Sequence, residues 1–210
     1  MAIIARQFAR PRGLLGRVVG RGMGRRNGDF SRWTVHEVSH EQPDGDARVV
    51  EIGPGPGIGL EEILKQFSRA HVWGVDLSPE MLSQSRKRNV AAVRSNRLSL
   101  IKGDSAALAG IAPVDVIVAN HVLYFWHQPD VELTQLHGFL RPGGLLALGY
   151  QLRTNMPPMA QKFFPQQGHL LYDSESAVDS LLRAAGFVSI DHRLKGPPEA
   201  PEGRLALARA

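Results

Sequence analysis

No cysteine occurs among the 210 residues. That excludes disulfide bridges, thiolate metal sites and a cysteine nucleophile, and with the last the covalent route to C5 of a pyrimidine. Long apolar runs are missing too, and nothing approaches the ~20 residues needed to cross a bilayer. The opening segment MAIIARQFARPRGLLGRVVGRG is basic, but arginines and glycines break each of its apolar stretches. It therefore has no secretory h-region. The expectation is a soluble, cytoplasmic protein with one core-bearing domain. Acids are scarce in one place. Residues 1–33 hold Arg6, Arg10, Arg12, Arg17, Arg21, Arg25, Arg26 and Arg32 against Asp29 alone, a charge of +7 in a chain of +5, which leaves −2 for the other 177 residues. Such an arm can lean on an anionic membrane surface or on nucleic acid. Without aromatic support, the plainer reading is a solvated lid or tail.

There is no internal repeat. The chain instead alternates short apolar, β-branched runs with helical patterns. Ser31 reads as the N-cap of a helix to about His40, and Gln42–Asp46 (QPDGD) as a turn. Strands are expected at Ala47–Ile52, Ala70–Asp76, Arg97–Asp104, Val114–Asn120 and Gly143–Tyr150. Helices are expected at Ile58–Phe67, at Ser78–Asn89 with its Ser-Pro start, at Pro129–Leu140, and at Ser174–Ala185 before Gly186. Phe187–Leu194 and Arg204–Ala210 close the chain as strands joined too tightly for a crossover, so they should pair antiparallel. The fold class is α/β, a Rossmann-like, seven-stranded, mostly parallel sheet with an antiparallel C-terminal strand and helices on both faces. The expected division is a basic arm and lid helix over 1–45 and a main domain over 46–210.

The stretch VVEIGPGPGIGLEE, Val49–Glu62, follows the first strand and opens a helix. Gly53, Gly55 and Gly57 let the chain turn sharply and let a ligand approach the backbone. The dinucleotide pattern G-x-G-x-x-G fails, because Ile58 or Leu60 stands where its last glycine belongs, and no Gly-Lys-Ser/Thr follows for a P-loop. The pattern is Glu51-x-Gly53-x-Gly55-x-Gly57.

That motif resembles the first motif of the class I S-adenosylmethionine (SAM)-dependent methyltransferases, and four further segments resemble the family in register. Asp76 ends the second strand 19 residues after Gly57, where the family's acid grips both ribose hydroxyls. KGDSAAL (Lys102–Leu108) resembles the adenine-binding turn, VDVIVANHVLYFWHQP (Val114–Pro129) the fourth-strand motif, and LRPGGLLAL (Leu140–Leu148) the turn into the fifth strand. The nearest subgroup is the small, ubiquinone-biosynthesis-like enzymes acting on small molecules. The resemblance implies SAM as cofactor and S-adenosylhomocysteine as product. It assigns Glu51, Gly53, Gly55, Gly57, Asp76, Leu77, Met81, Gly103, Asp104, Ser105 and Asn120 to the cofactor, with Asp104 on the adenine amine and Asn120 beside the methionine moiety. It implies no metal. One carboxylate suits two ribose hydroxyls on chemical grounds alone. Asp76 and Asp104 are also well placed to cap helices, and the glycines to serve only the turn.

Methyl transfer is displacement at an activated carbon, so the protein chiefly aligns the nucleophile and excludes water. His121, Tyr124 and His127 follow the fourth strand and are the candidate catalytic residues. His121 is expected nearest the methyl group, though each is equally a lining residue. The segment is not the Asn/Asp-Pro-Pro-aromatic motif of exocyclic-amine nucleic-acid methyltransferases, so nucleic acid is not the expected acceptor. An RNA or protein acceptor drawn in by the arm is the alternative. Arg153–Ser176, apolar through Met156, Met159, Phe163 and Phe164, is expected to cap an acceptor pocket walled by Tyr124, Phe125 and Trp126. Phe30 and Trp33 are expected in the lid. HEVSH, His36–His40, reproduces the H-E-x-x-H zinc signature. Pro43 and Asp46 occupy the positions where its extended form needs glycine and histidine, so a zinc hydrolase is a remote alternative to a polar helix face.

Overall fold

The computed structural model describes residues 13–41 and 46–210, with side chains from Asn27 onward. The start of the basic arm and all of the expected QPDGD turn but Asp46 lie outside the described residues. In chain order the elements are α1 (Gly13–His40), β1 (Arg48–Ile52), α2 (Ile58–Gln66), β2 (His71–Asp76), α3 (Pro79–Arg88), α4 (Val90–Arg94), β3 (Leu98–Lys102), β4 (Val114–Asn120), α5 (Pro129–Phe139), β5 (Leu140–Tyr150), α6 (Pro158–Gln166), α7 (Glu175–Ala184), β6 (Ser189–Lys195) and β7 (Gly203–Arg209). The seven strands form one sheet in the order β3-β2-β1-β4-β5-β7-β6. β7 runs against β5 and β6, and the other strands are parallel. This is the expected Rossmann-like sheet.

Side chains alternate between the two faces along strands that are buried almost continuously, which is why the sheet carries helices on both faces. Val50, Ile52, Ile117 and Ala119 turn to one face, where Leu133, Leu136, Val178 and Leu182 of α5 and α7 cover them. Val49, Val116 and Val118 turn to the other, under Val35 and Val38 of α1 and Leu60 and Ile63 of α2. Each valine, leucine or isoleucine among them contributes about 1.5–3 kcal/mol on burial, and truncating a buried leucine to alanine costs about 2–5 kcal/mol. The chain proceeds outward through β1, β2 and β3, then returns to place β4 on the other side of β1. A crevice opens beyond the carboxyl ends of β1 and β4, as it does where strand order reverses.

Local signals set the helix ends. Ser78 Oγ accepts from Met81 N–H at 3.3 Å with Pro79 in the first turn of α3. Ser174 Oγ accepts from Ala177 N–H at 3.2 Å to start α7. One expectation fails: Ser31 is not an N-cap, because α1 begins at Gly13 and carries Ser31 in its interior. Its repeated glycines lower the helix propensity of the first half of α1. The helix is held by packing further along, where Phe30, Thr34, Val35 and Val38 are buried.

Candidate active site

The glycine loop leaves β1 with left-handed backbone at Gly55 (φ 52°) and Gly57 (φ 83°). The two are there for different reasons. A Cβ on Gly57 would stand 2.5 Å from Ser85 Oγ and 2.9 Å from Ser85 Cα, so this glycine lets the loop press on α3. A Cβ on Gly55 would meet nothing within 4 Å. It would project into a cavity of about 450 Å³ at the ends of β1 and β4, within the usual ~300–1,000 Å³ of small-ligand sites.

Ten of the expected cofactor residues line that cavity: Glu51, Gly53, Gly55, Asp76, Leu77, Met81, Gly103, Asp104, Ser105 and Asn120. Gly57 does not, and its part is the α3 contact. Asp76 accepts from Ser78 N–H at 2.8 Å and from Gly55 N–H at 3.2 Å. Burial still pushes its carboxyl up to about 6 against those two bonds. Glu51 is pushed further, to about 8, first by burial and then by the charge of Asp76, while a bond from Leu60 N–H opposes. Its Oε2 is buried with no partner among the described residues. Asp104 caps the 3₁₀ turn Ser105–Gly110 through Ala106 N–H at 3.2 Å. It lines the cavity as well, so its capping role does not take it out of the site. Ser105 donates to Glu132 of α5, which also lines the cavity.

The candidate catalytic residues separate. His121 lines the cavity with its backbone in the left-handed region (φ 55°), held by its N–H on Gly149 O at 2.8 Å. A non-glycine residue there carries strain, as site residues often do. Its ring lies 4.6 Å from that of Phe30, and burial pulls it down to about 4. His127 lines the cavity as well. Tyr124 is not part of the lining. It is buried, and its hydroxyl accepts from Gln151 N–H, which tightens the turn Leu123–Phe125 from behind.

The expected cap segment lies apart from this cavity. No residue of Arg153–Ser176 lines the cavity. Met156 joins the core, and Phe164 packs on Phe125 with ring centroids 5.4 Å apart. The outer wall comes instead from Asn27, Gly28 and Ser31 of α1, facing Phe125, Trp126, His127 and Gln128. Asn27, Gly28, Gln128 and Glu132 were not foreseen from the sequence. Asn27, Gly28 and Ser31 share one helical face at i, i+1 and i+4 spacing, but only the docking of α1 reveals which face turns inward. His36 and His40 stand on an exposed face of α1, rings 4.5 Å apart, where Glu37 lies 3.7 Å from Arg193.

The cavity fits SAM. Four acidic side chains, Glu51, Asp76, Asp104 and Glu132, surround it, and a cationic ligand would favour their ionised forms. The open face of Gly55 and the unpartnered oxygen of Glu51 leave room and an acceptor for it. Comparison with known proteins agrees, because residues 25–192 match the family model described as "Methyltransferase domain". The chain belongs to the SAM-dependent methyltransferases. This methyltransferase is 26% identical over 180 residues to the uncharacterized methyltransferase YdaC of Bacillus subtilis (strain 168), covering 85% of this chain and 90% of that one. It is 36% identical over 105 residues to trans-aconitate 2-methyltransferase of Azoarcus sp. (strain BH72), covering half of this chain but only 39% of that enzyme. Among solved structures it superposes on the N-methyltransferase NodS of Bradyrhizobium japonicum WM9, in complex with S-adenosylhomocysteine, with TM-score 0.64 at 18% identity, covering 85% of this chain and 84% of that one. An O-methyltransferase family protein of Burkholderia thailandensis gives TM-score 0.74 at 18% identity, covering 93% of this chain and 59% of that one. These likenesses show the class I fold. No described helix is long and apolar enough to cross a membrane.

Proposed function

We propose that this methyltransferase acts on a small apolar or aromatic molecule, methylating an oxygen or a nitrogen, with α1 as the lid of the site. The observation that carries this reading is the outer wall of the cavity. Phe125 and Trp126 offer planar apolar surface there, and Asn27, Ser31, His121 and His127 offer hydrogen-bonding groups beside it. Glu51, Gly53, Gly55, Asp76, Leu77, Met81, Gly103, Asp104, Ser105 and Asn120 would hold SAM. When bound, SAM supplies an activated methyl carbon, so alignment and exclusion of water are the protein's main tasks. His121, kept neutral by burial, accepts a hydrogen bond from the acceptor's O–H or N–H. It is too weak a base to ionise a poorly acidic acceptor at neutral pH. The acceptor therefore brings its own ionisable or lone-pair nucleophile, as a phenol, an enol or an amine does. His127 orients it, and Tyr124 supports the turn without touching it. The test is incubation of the full chain with SAM and a panel of phenols, aromatic amines, trans-aconitate and a malonyl thioester, with mass spectrometry of the products. A methylated phenol or amine is expected. Turnover of the carboxylates alone would overturn the proposed acceptor class.

A further inference from the structure

The lid helix is fastened to two consecutive residues at the end of β4. Phe30 fills a gap between two strands that only glycine leaves open: a Cβ on Gly149 would stand 2.6 Å from its Cε1, and one on Gly203 2.4 Å from its Cε2. The Phe30 ring lies against His121. One turn later, at i+4, Thr34 is fully buried and its Oγ1 donates to Asn120 Oδ1 at 3.1 Å. A Cβ on Gly149 would come within 2.1 Å of the same Oδ1, so the missing side chain on β5 makes room for this bond as well as for Phe30.

The bond settles the chemistry of the amide. Thr34 takes one lone pair of Oδ1 and thereby holds the amide with its unpartnered NH2 as the free donor. That Nδ2 is buried and has no partner among the described residues, while Asn120 lines the cavity. A buried donor without a partner is costly in a folded chain. On the neighbouring strand, Glu51 has the complementary deficit, an acceptor oxygen with no donor. One donor and one acceptor at adjacent strand ends match a group that is carboxylate on one side and ammonium on the other.

We propose that Thr34 is a positioning residue that sets the polarity of Asn120, so that seating of α1 selects a ligand carboxylate at the amino acid end of the cofactor. This rests on the reading of the cavity as the SAM site. It makes the lid helix part of cofactor discrimination as well as a cover.

The test compares two nucleosides by calorimetry on the full chain: S-adenosylhomocysteine, which has the amino acid end, and 5′-methylthioadenosine, which lacks it. Thr34→Val removes the hydroxyl at nearly constant shape. It should weaken S-adenosylhomocysteine about tenfold, equal to about 1.4 kcal/mol, and leave 5′-methylthioadenosine unchanged. Thr34→Ser, which keeps the hydroxyl, should restore most of the loss. If Thr34→Val does not fold, Thr34→Ala carries the same comparison. Equal losses for both nucleosides would show that Thr34 only seats the helix and would overturn the proposal, as would undiminished binding of S-adenosylhomocysteine. A wild-type chain that bound neither nucleoside would remove the cofactor reading beneath it.

Discussion

Gly55 and Gly57 are two residues apart and both left-handed, yet alanine should harm them in opposite ways. At Gly57 two costs add. Left-handed backbone costs an L-residue roughly 1–2 kcal/mol. The new methyl also meets Ser85 Oγ at 2.5 Å, Asn89 Nδ2 at 2.8 Å and Ser85 Cα at 2.9 Å, and overpacking of this kind costs about 1–3 kcal/mol. Ser85 and Asn89 are themselves buried, with Asn89 bonded to Gly57 O at 3.1 Å, so neither moves away freely. The sum is roughly 2–5 kcal/mol, and at ~2–4 °C of Tm per kcal/mol for a domain this size Gly57→Ala should melt about 4–20 °C below wild type. At Gly55 no neighbour lies within 4 Å, so only the backbone cost of roughly 1–2 kcal/mol applies, and Tm should fall by about 2–8 °C. The Gly55 methyl, however, enters the cavity. It should weaken S-adenosylhomocysteine at least tenfold, equal to about 1.4 kcal/mol. Thermal melts and calorimetric titrations of both variants make the comparison. A Gly55→Ala protein that binds as wild type, or that melts as low as Gly57→Ala, would refute the division of labour in this loop.

Burial of Glu51 makes stability depend on pH. The folded chain keeps its proton up to about 8, whereas the ordinary value is 4.5. The resulting stabilisation is full below about pH 4.5 and is lost as pH rises to about 8. Asp76, raised to about 6, adds a slope of the same sign over the lower part of that range. Melts of Glu51→Gln across this range should show a flatter fall than wild type, and equal slopes would contradict the assignment. His121, pulled down to about 4, is neutral near pH 7 and should place no limb there. With a confirmed acceptor, His121→Ala should lower kcat by less than the ~10²-fold that marks loss of a general base, and the neutral limb should survive. A limb near pH 6.5 that vanished in the variant would show that His121 is the base.

Much of the fold was legible because its signals are local. Short apolar, β-branched runs marked the strands, and Ser78 and Ser174 marked helix starts by the bonds they accept. The cofactor loop was legible because only glycine satisfies its backbone. The start of α1 was not, because its propensity is poor and its support is tertiary: Phe30 depends on glycines at positions 149 and 203, more than a hundred residues away. That Arg153–Ser176 stays out of the cavity was not legible for a related reason. Met156 and Phe164 have the composition of a pocket lining, but apolar side chains serve a core equally well, and here they pack behind the turn that carries Phe125. Tyr124 sits within three residues of His121 and His127, and the 3₁₀ turn Leu123–Phe125 sends it inward. A linear pattern does not show that rotation.

We propose that the crevice beyond β1 and β4 holds SAM, with Asp76 on its ribose. The most direct test is calorimetric titration of the full chain with S-adenosylhomocysteine, wild type beside Asp76→Ala. Saturable binding by wild type is expected, with a loss of at least about tenfold in the variant while the fold stays intact, since hydrogen bonds to a charged group are each worth roughly 1.5–3 kcal/mol. Wild-type affinity in a folded Asp76→Ala protein would contradict the proposal.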